Sequence, residues 1–158
     1  MKALFYAALL TVHFVNSETM AQNQDRLADV KKAIAESNAI YFTSFAKSDV
    51  SIFLDRYAED ACIMAPNAPA ACGREAAAGF FKNACETYGL KGGRFITTDV
   101  YGDGLEFVTE EGLWQSFDAN GKLFDDGKFL VLWKKTKNGW KMYRDSFSSN
   151  RAPKMAGR

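Results

Sequence analysis

The sequence predicts one α+β domain with helices first and a curved antiparallel sheet after them. Three observations carry this. Apolar residues recur at helical spacing between Arg26 and Ala46; runs rich in β-branched and aromatic residues dominate after Gly93; and glycine-containing turns separate those runs.

In the first helix Leu27, Val30, Ile34, Tyr41 and Phe45 recur at steps of three or four, Asn38 completes the stripe, and no Gly or Pro interrupts it. Ser48 and Asp49 offer N-caps for a short second helix through Ile52, Phe53 and Tyr57. Ala61 to Met64 reads as a short strand stopped by Pro66, and Pro66 to Pro69 as a loop. A third helix follows Gly73, from Arg74 to Thr87, ended by Gly89 and Gly92-Gly93. Four strand-like runs come next: Phe95 to Val100, Leu105 to Phe117, Lys128 to Lys135 and Trp140 to Phe147. Gly102-Asp103-Gly104, Asn120-Gly121, Asp126-Gly127 and Asn138-Gly139 punctuate them, and Asn-Gly is a strong hairpin signal.

The N-terminus has a different character. Lys2 precedes an almost wholly apolar stretch from Ala3 to Val15, then a short polar stretch leads to Ala21. This is the layout of a secretory signal peptide, with cleavage after Ala21 or after Ser17. The apolar run is shorter than the roughly 20 residues a membrane span needs, and no later segment is apolar for longer, so stable membrane insertion is not expected. The expected organisation is therefore a signal over residues 1–21, a domain over 22–149 and a polar tail over 150–158. The expected compartment is the periplasm or the exterior.

Charge and cysteine usage narrow the function. The chain of 158 residues carries 20 Lys and Arg against 19 Asp and Glu, a formal net charge of +1. That balance, without a basic stripe, argues against nucleic acid as a partner. The sole histidine, His13, lies in the predicted signal, so the mature domain has none for a Ser-His-Asp or Cys-His site. No metal site and no cofactor are expected. Cys62, Cys72 and Cys85 are odd in number, which leaves at least one thiol outside an internal disulfide. Either Cys62 and Cys72 are bonded across the proline loop, or all three are free. Cys85 suits a small hydrophobe on the third helix.

Strand alternation sorts the polar residues. Thr109, Glu111, Leu113 and Gln115 share one face, opposite Glu110, Gly112 and Trp114. In the last strand Trp140, Met142 and Arg144 oppose Lys141, Tyr143, Asp145 and Phe147, so only one of Arg144 and Asp145 points inward unless a bulge intervenes.

Several strings, in this order, resemble the NTF2-like superfamily in its SnoaL-like and DUF4440-like branch. They are Phe45-Ala46-Lys47-Ser48-Asp49, Tyr57-Ala58-Glu59-Asp60-Ala61 with Met64 and Pro66, Gly73-Arg74-Glu75-Ala76, and Glu110-Glu111-Gly112. Gly127 to Lys134, Gly139-Trp140-Lys141 and Arg144-Asp145 complete the set. The resemblance implies a cystatin-like cone, three N-terminal helices packed on a strongly curved, mostly antiparallel sheet, with a pocket open at one end. Its members include steroid isomerases, polyketide cyclases, dehydratases, and binding or assembly modules. Tyr41 falls where the ketosteroid isomerases place their oxyanion tyrosine. Their general-base aspartate precedes the proline after the first strand, where this chain has Ala65 before Pro66. The dehydratase pattern of a histidine and an aspartate is absent too.

The candidate site follows. Tyr41, Glu111 and Asp145 are the candidate catalytic residues, and Asn38, Tyr57, Trp114, Trp133 and Arg144 the candidate binding residues. Tyr57 also suits helix capping and packing. Glu111 is expected to pair with an inward arginine, to serve as an inward carboxylate whose pKa desolvation raises, or simply to face solvent. The aromatic sheet points to an apolar or aromatic ligand. The leading expectation is a small-molecule binding domain. Its alternatives are an isomerase, cyclase or dehydratase using Glu111 or Asp145, and an assembly module that forms a homodimer through the sheet.

Overall fold

A computed structural model describes residues 2–152, with side chains described from residue 22 onward. Helix α1 runs Lys2–Lys47, α2 Val50–Asp55 and α3 Gly73–Glu86; strands β1 (Tyr57–Met64) and β2 (Ala71–Cys72) precede α3. Strands β3 (Gly92–Gly102), β4 (Phe107–Phe117), β5 (Leu123–Thr136) and β6 (Gly139–Ser149) follow it. The backbone of the predicted signal lies within α1 from Lys2, while its side chains, and the tail from residue 153, lie outside the described residues. Among the described residues no helix is long and apolar enough to cross a membrane.

The α+β content stands, but the expected arrangement needs correction. The helices are not all N-terminal, because α3 follows β1 and β2. Nor is the sheet strongly curved: six strands form one open, mixed sheet in the order β2-β1-β6-β5-β4-β3. Only β3 to β6 make the antiparallel meander, while β1 lies parallel to β6. A parallel pair cannot be closed by a hairpin, so the chain must travel through other elements between its two strands. Here α3 and the meander are that crossover.

Element boundaries follow local chemistry. Asp49 caps α2, its carboxylate accepting the Ser51 N–H at 2.9 Å, as the sequence predicts. The helix stops at Asp55, however, and Tyr57 opens β1 instead of closing α2. Lys122 to Asp125 extends a strand from Leu123 onward, so β5 begins before the Asp126-Gly127 pair.

The core lies between α1 and the sheet face turned toward it. Val30, Ile34, Tyr41, Phe42 and Phe45 of α1 are buried there with Phe53 of α2 and Phe81 of α3. Val108, Trp114, Phe129, Val131, Trp133 and Met142 cover the inner face of the sheet. The rings interlock: Tyr41 lies 4.9 Å from Phe95, and Phe45 4.9 Å from Phe81, centroid to centroid. Such pairs contribute about 0.5–1.5 kcal/mol beyond their area.

Candidate functional site: two buried carboxylates

Strand register brings together residues that are far apart in sequence. Val100 faces Glu110, Glu110 faces Val131, Val131 faces Asp145, and Asp145 faces Ile63. This row crosses five strands on the inner face, and every member is buried. It therefore sets two carboxylates, Glu110 and Asp145, in an otherwise apolar layer with only Val131 between them.

Glu110 is fully buried. Asn38 Nδ2 and Thr97 Oγ1 donate to its Oε1 at 2.7 and 2.6 Å, and Trp133 Nε1 donates to Oε2 at 2.9 Å. Burial raises its pKa above the ordinary 4.5, and these three hydrogen bonds oppose the rise.

Asp145 accepts the Tyr57 hydroxyl on Oδ2 at 2.6 Å, and the hydroxyls of Tyr57 and Tyr41 lie 3.4 Å apart. Burial lifts the Asp145 pKa to about 6, against the Tyr57 bond and with help from the charge of Glu110. Both tyrosines are pushed well above 10, first by burial and then by the nearby Asp145. They therefore stay protonated at neutral pH and serve as donors. Tyr41, Tyr57 and Asp145 thus form a short chain along which a proton can be held or released near pH 6.

The structure places Asp145 inward and Arg144 outward. A bulge decides this: Leu132 faces Arg144 but Trp133 faces Met142, so Tyr143 is an extra residue in β6. Parity resets there, and Met142 and Asp145 both point in although strict alternation separates them. Arg144 instead stacks on Tyr143, 3.7 Å from its ring centroid, and donates to the Asp60 carbonyl at 3.1 Å.

Glu111 is the main departure from the expected site. The inner face of β4 carries Val108, Glu110, Gly112, Trp114 and Ser116, so its neighbour Glu110 takes the interior position. Glu111 lies on the outer face near Thr98, whose hydroxyl reaches its carbonyl at 3.1 Å. Tyr101, pushed up to about 12, is held chiefly by a hydrogen bond to Glu111. The expected pairing of an inward Glu111 with an inward arginine is therefore absent.

Trp114 is buried and donates Nε1 to the Ser148 carbonyl at 3.1 Å. Trp133 is fully buried and bonds Glu110, and Asn38 bonds the same carboxylate. Tyr41, Asn38, Tyr57, Trp133 and Asp145 thus surround one interior, to which Glu110 and Thr97 must be added. In the sequence Glu110 shares its parity with Val108, Gly112 and Trp114, a hint that alternation by itself does not turn into an inner face.

Two open hollows lie away from this interior. One, about 470 Å³, is bordered by Glu111, Leu113, Lys128 and Leu130 on the outer face; the other, about 580 Å³, lies beside Ala46, Lys91 and Phe117. Among the described residues no group of three or more His, Cys, Asp or Glu is placed to hold a metal ion.

The fold defined by these elements is NTF2-like, or cystatin-like. It is shared with an NTF2-like protein with a cystatin-like fold from Novosphingobium aromaticivorans: TM-score 0.67, 18% identity, 82% of this chain and 87% of that one. A protein of unknown function with a cystatin-like fold from Nostoc punctiforme matches at TM-score 0.65 and 18% identity, over 77% and 92% of the two chains. A ketosteroid isomerase-like protein from Erwinia carotovora matches at TM-score 0.60 and 19% identity, over 75% and 95%. No family model matches the sequence, and no curated protein matches it.

Proposed function

We propose that this chain is an exported NTF2-like domain, of the SnoaL-like and DUF4440-like branch, that binds a small apolar or aromatic ligand in its interior. The observation that carries this is the placement of Glu110 and Asp145 beneath α1, both buried and neither in a salt bridge among the described residues. A core selected for packing alone gains nothing from two desolvated carboxylates, whose burial costs several kcal/mol apiece. Groups of this kind, ringed by aromatic side chains, are typical of sites that orient a ligand. Tyr41 and Asn38 supply the polar contacts, Tyr57 and Trp133 hold the two acids, and Phe95 and Phe53 form the apolar walls. Mass spectrometry of protein purified natively from its host tests the reading: a co-purifying small molecule lost on Asp145→Asn substitution supports it. Release of no compound under denaturing conditions opposes it.

A second reading is enzymatic. Asp145, with its pKa near 6 and its contact to Tyr57, is suited to act as an acid-base group for an isomerase, cyclase or dehydratase reaction. It carries the acid-base role considered for Glu111, whose outer-face position removes it from this interior. A bell-shaped or single-limbed rate profile with an inflection near pH 6, abolished in Asp145→Asn, is the expected signature. The outer face favours a third reading, a homodimer through the sheet. Ile96, Leu113 and Leu130 are 40, 44 and 51% exposed there, with Glu111 and Lys128 among them. Under two-fold symmetry those opposite charges complement each other. Light scattering that shows a monomer at high concentration would refute the dimer.

A further inference from the structure

At one edge the sheet ends on a strand that a single covalent bond secures. β2 is two residues long, and its whole ladder to β1 is Cys62 opposite Cys72 and Ile63 opposite Ala71. A disulfide joins Cys62 to Cys72. Residues 67–70, which lead into β2, are exposed, and so is Cys72 itself. Helix α3 starts at the next residue, with Arg74 and Glu75 exposed and Ala77 its first buried residue. The junction of β2 and α3 therefore has little packing of its own. Further along α3, Phe80 lies 6.1 Å from Phe53 and 6.2 Å from Phe147 of β6, so the bond anchors the start of a helix that covers this side of the sheet.

The charge around the two sulfurs favours their release as thiolates. Cys72 is the N-cap of α3, and its side chain makes no capping hydrogen bond. A thiolate formed there meets the unpaired N–H groups of the first turn and the positive end of a 14-residue helix. Cys62 lies in register with Arg144 of the parallel neighbour β6. Ile63 and Asp145, the next pair, are buried, so Cys62 and Arg144 share the outer face. The guanidinium is fixed there by the Tyr143 ring and the Asp60 carbonyl. Stabilised thiolates make a disulfide easier to reduce, and an exposed sulfur admits the attacking thiol. Cys85, free and half-buried near the far end of α3, is about 20 Å away at helical rise and takes no part.

We propose that the Cys62–Cys72 bond is a reversible redox latch, opened by an external dithiol, that frees β2 and the first turn of α3 from the edge of β1. A thiolate of the dithiol attacks Cys72 Sγ, and Cys62 leaves as a thiolate beside Arg144. The second sulfur of the dithiol then attacks the first, closing its own disulfide, and Cys72 leaves as a thiolate at the helix N-terminus. The dithiol gives up two electrons, and its two protons end on Cys62 and Cys72. Reoxidation runs the same steps backwards. With the latch open, β2 keeps only the backbone pairing of two residues, too little to hold a strand in place. The latch stands apart from the ligand-binding reading and does not require it.

The test treats the oxidised full chain with dithiothreitol under native conditions and counts thiols by alkylation and mass spectrometry. The rate of reduction is expected to rise in proportion to dithiothreitol, because the attack falls on the folded protein. Hydrogen exchange of residues 62–77 is expected to quicken at least about tenfold on reduction, with β4 and β5 unchanged. Oxidised dithiothreitol should restore the slow pattern. Arg144→Gln is expected to slow the reduction about threefold or more at equal dithiol, and an unchanged rate removes Arg144 from the latch. A rate that levels off at that of global unfolding overturns the proposal, since only the unfolded chain then reacts. Exchange in residues 62–77 that is the same in both redox states overturns it as well. Both decisive readings come from the unsubstituted protein and do not depend on how the variant folds.

Discussion

Tyr57 donates its hydroxyl to Asp145 at 2.6 Å across 88 residues of sequence, joining the first residue of β1 to the middle of β6. The bond is made inside the protein, where an unpaired carboxylate oxygen is costly. Tyr57→Phe removes the donor and keeps the ring, so packing against Phe53 persists. The variant is expected to lose about 1–3 kcal/mol of stability in urea unfolding at pH 7. Because the bond holds the Asp145 pKa down, that pKa should rise above about 6 in the variant, as read by carboxyl-carbon NMR titration. An unchanged Asp145 titration would show that the bond does not form in solution.

The same carboxylate sets the response of stability to pH. Asp145 holds its proton up to about pH 6 when folded, against an ordinary value of 3.8. Between those values the folded state binds more protons than the unfolded state, so stability falls as pH rises from about 4 to 6 and levels off above. Glu110, also raised, contributes with the same sign. The Asp145 part amounts to something on the order of 3 kcal/mol, at 1.36 kcal/mol for each pKa unit. Urea midpoints measured from pH 4 to 7 should show this decline, and Asp145→Asn should flatten it. A profile that climbs through this window in the unsubstituted protein contradicts the assignment.

The disulfide offers an independent check on the sheet edge. Cys62 and Cys72 face each other across β1 and β2 and are bonded, while Cys85 is free and half-buried. Their sequence separation of 10 corresponds to about 2–3 kcal/mol if the bond acts by restricting the unfolded chain. A Cys62→Ser, Cys72→Ser double variant should unfold at correspondingly lower urea. Reductant should destabilise the unsubstituted protein by a similar amount and leave the double variant unaffected. Alkylation of all three thiols without prior reduction is the result that rules the bond out.

For the proposed export, the N-terminus of the protein isolated from its native host is expected at Gln22 or at Glu18. Edman or mass-spectrometric sequencing reads it directly. Cytosolic protein that retains Met1 would remove the basis for placing it in the periplasm or outside the cell.

Part of the candidate interior was legible, residue by residue, before any strand was placed. Tyr41 and Asn38 stood on the apolar stripe of the first helix because a helix repeats every 3.6 residues whatever surrounds it. The meander was legible from its turns: Gly121 and Gly139 take φ of 73° and 89°, the left-handed region that glycine enters without steric cost. Glu111 was misplaced for a definite reason. Alternation separates the two faces of β4 but carries no label for which is inner. The pairing of Glu110 with Val131, itself in line with Trp133, supplies that label.

The sequence alone therefore determined the α+β content, the helix that lies over the site, the aromatic character of the sheet and three of its four expected turns, the fourth, Asp126-Gly127, lying inside β5. These are properties of local periodicity and backbone chemistry, and they hold in any arrangement of the elements. Tertiary structure decided the parallel pairing of β1 with β6, which makes the sheet mixed and lets α3 follow the first strands. It also decided the bulge at Tyr143, which turns Asp145 inward and Arg144 out although neither Gly nor Asn marks the spot. A strand's side chains alternate with a period of two, so one extra residue reverses every assignment beyond it. The neighbouring strand selects where that residue goes, and with it whether a carboxylate meets water or the interior.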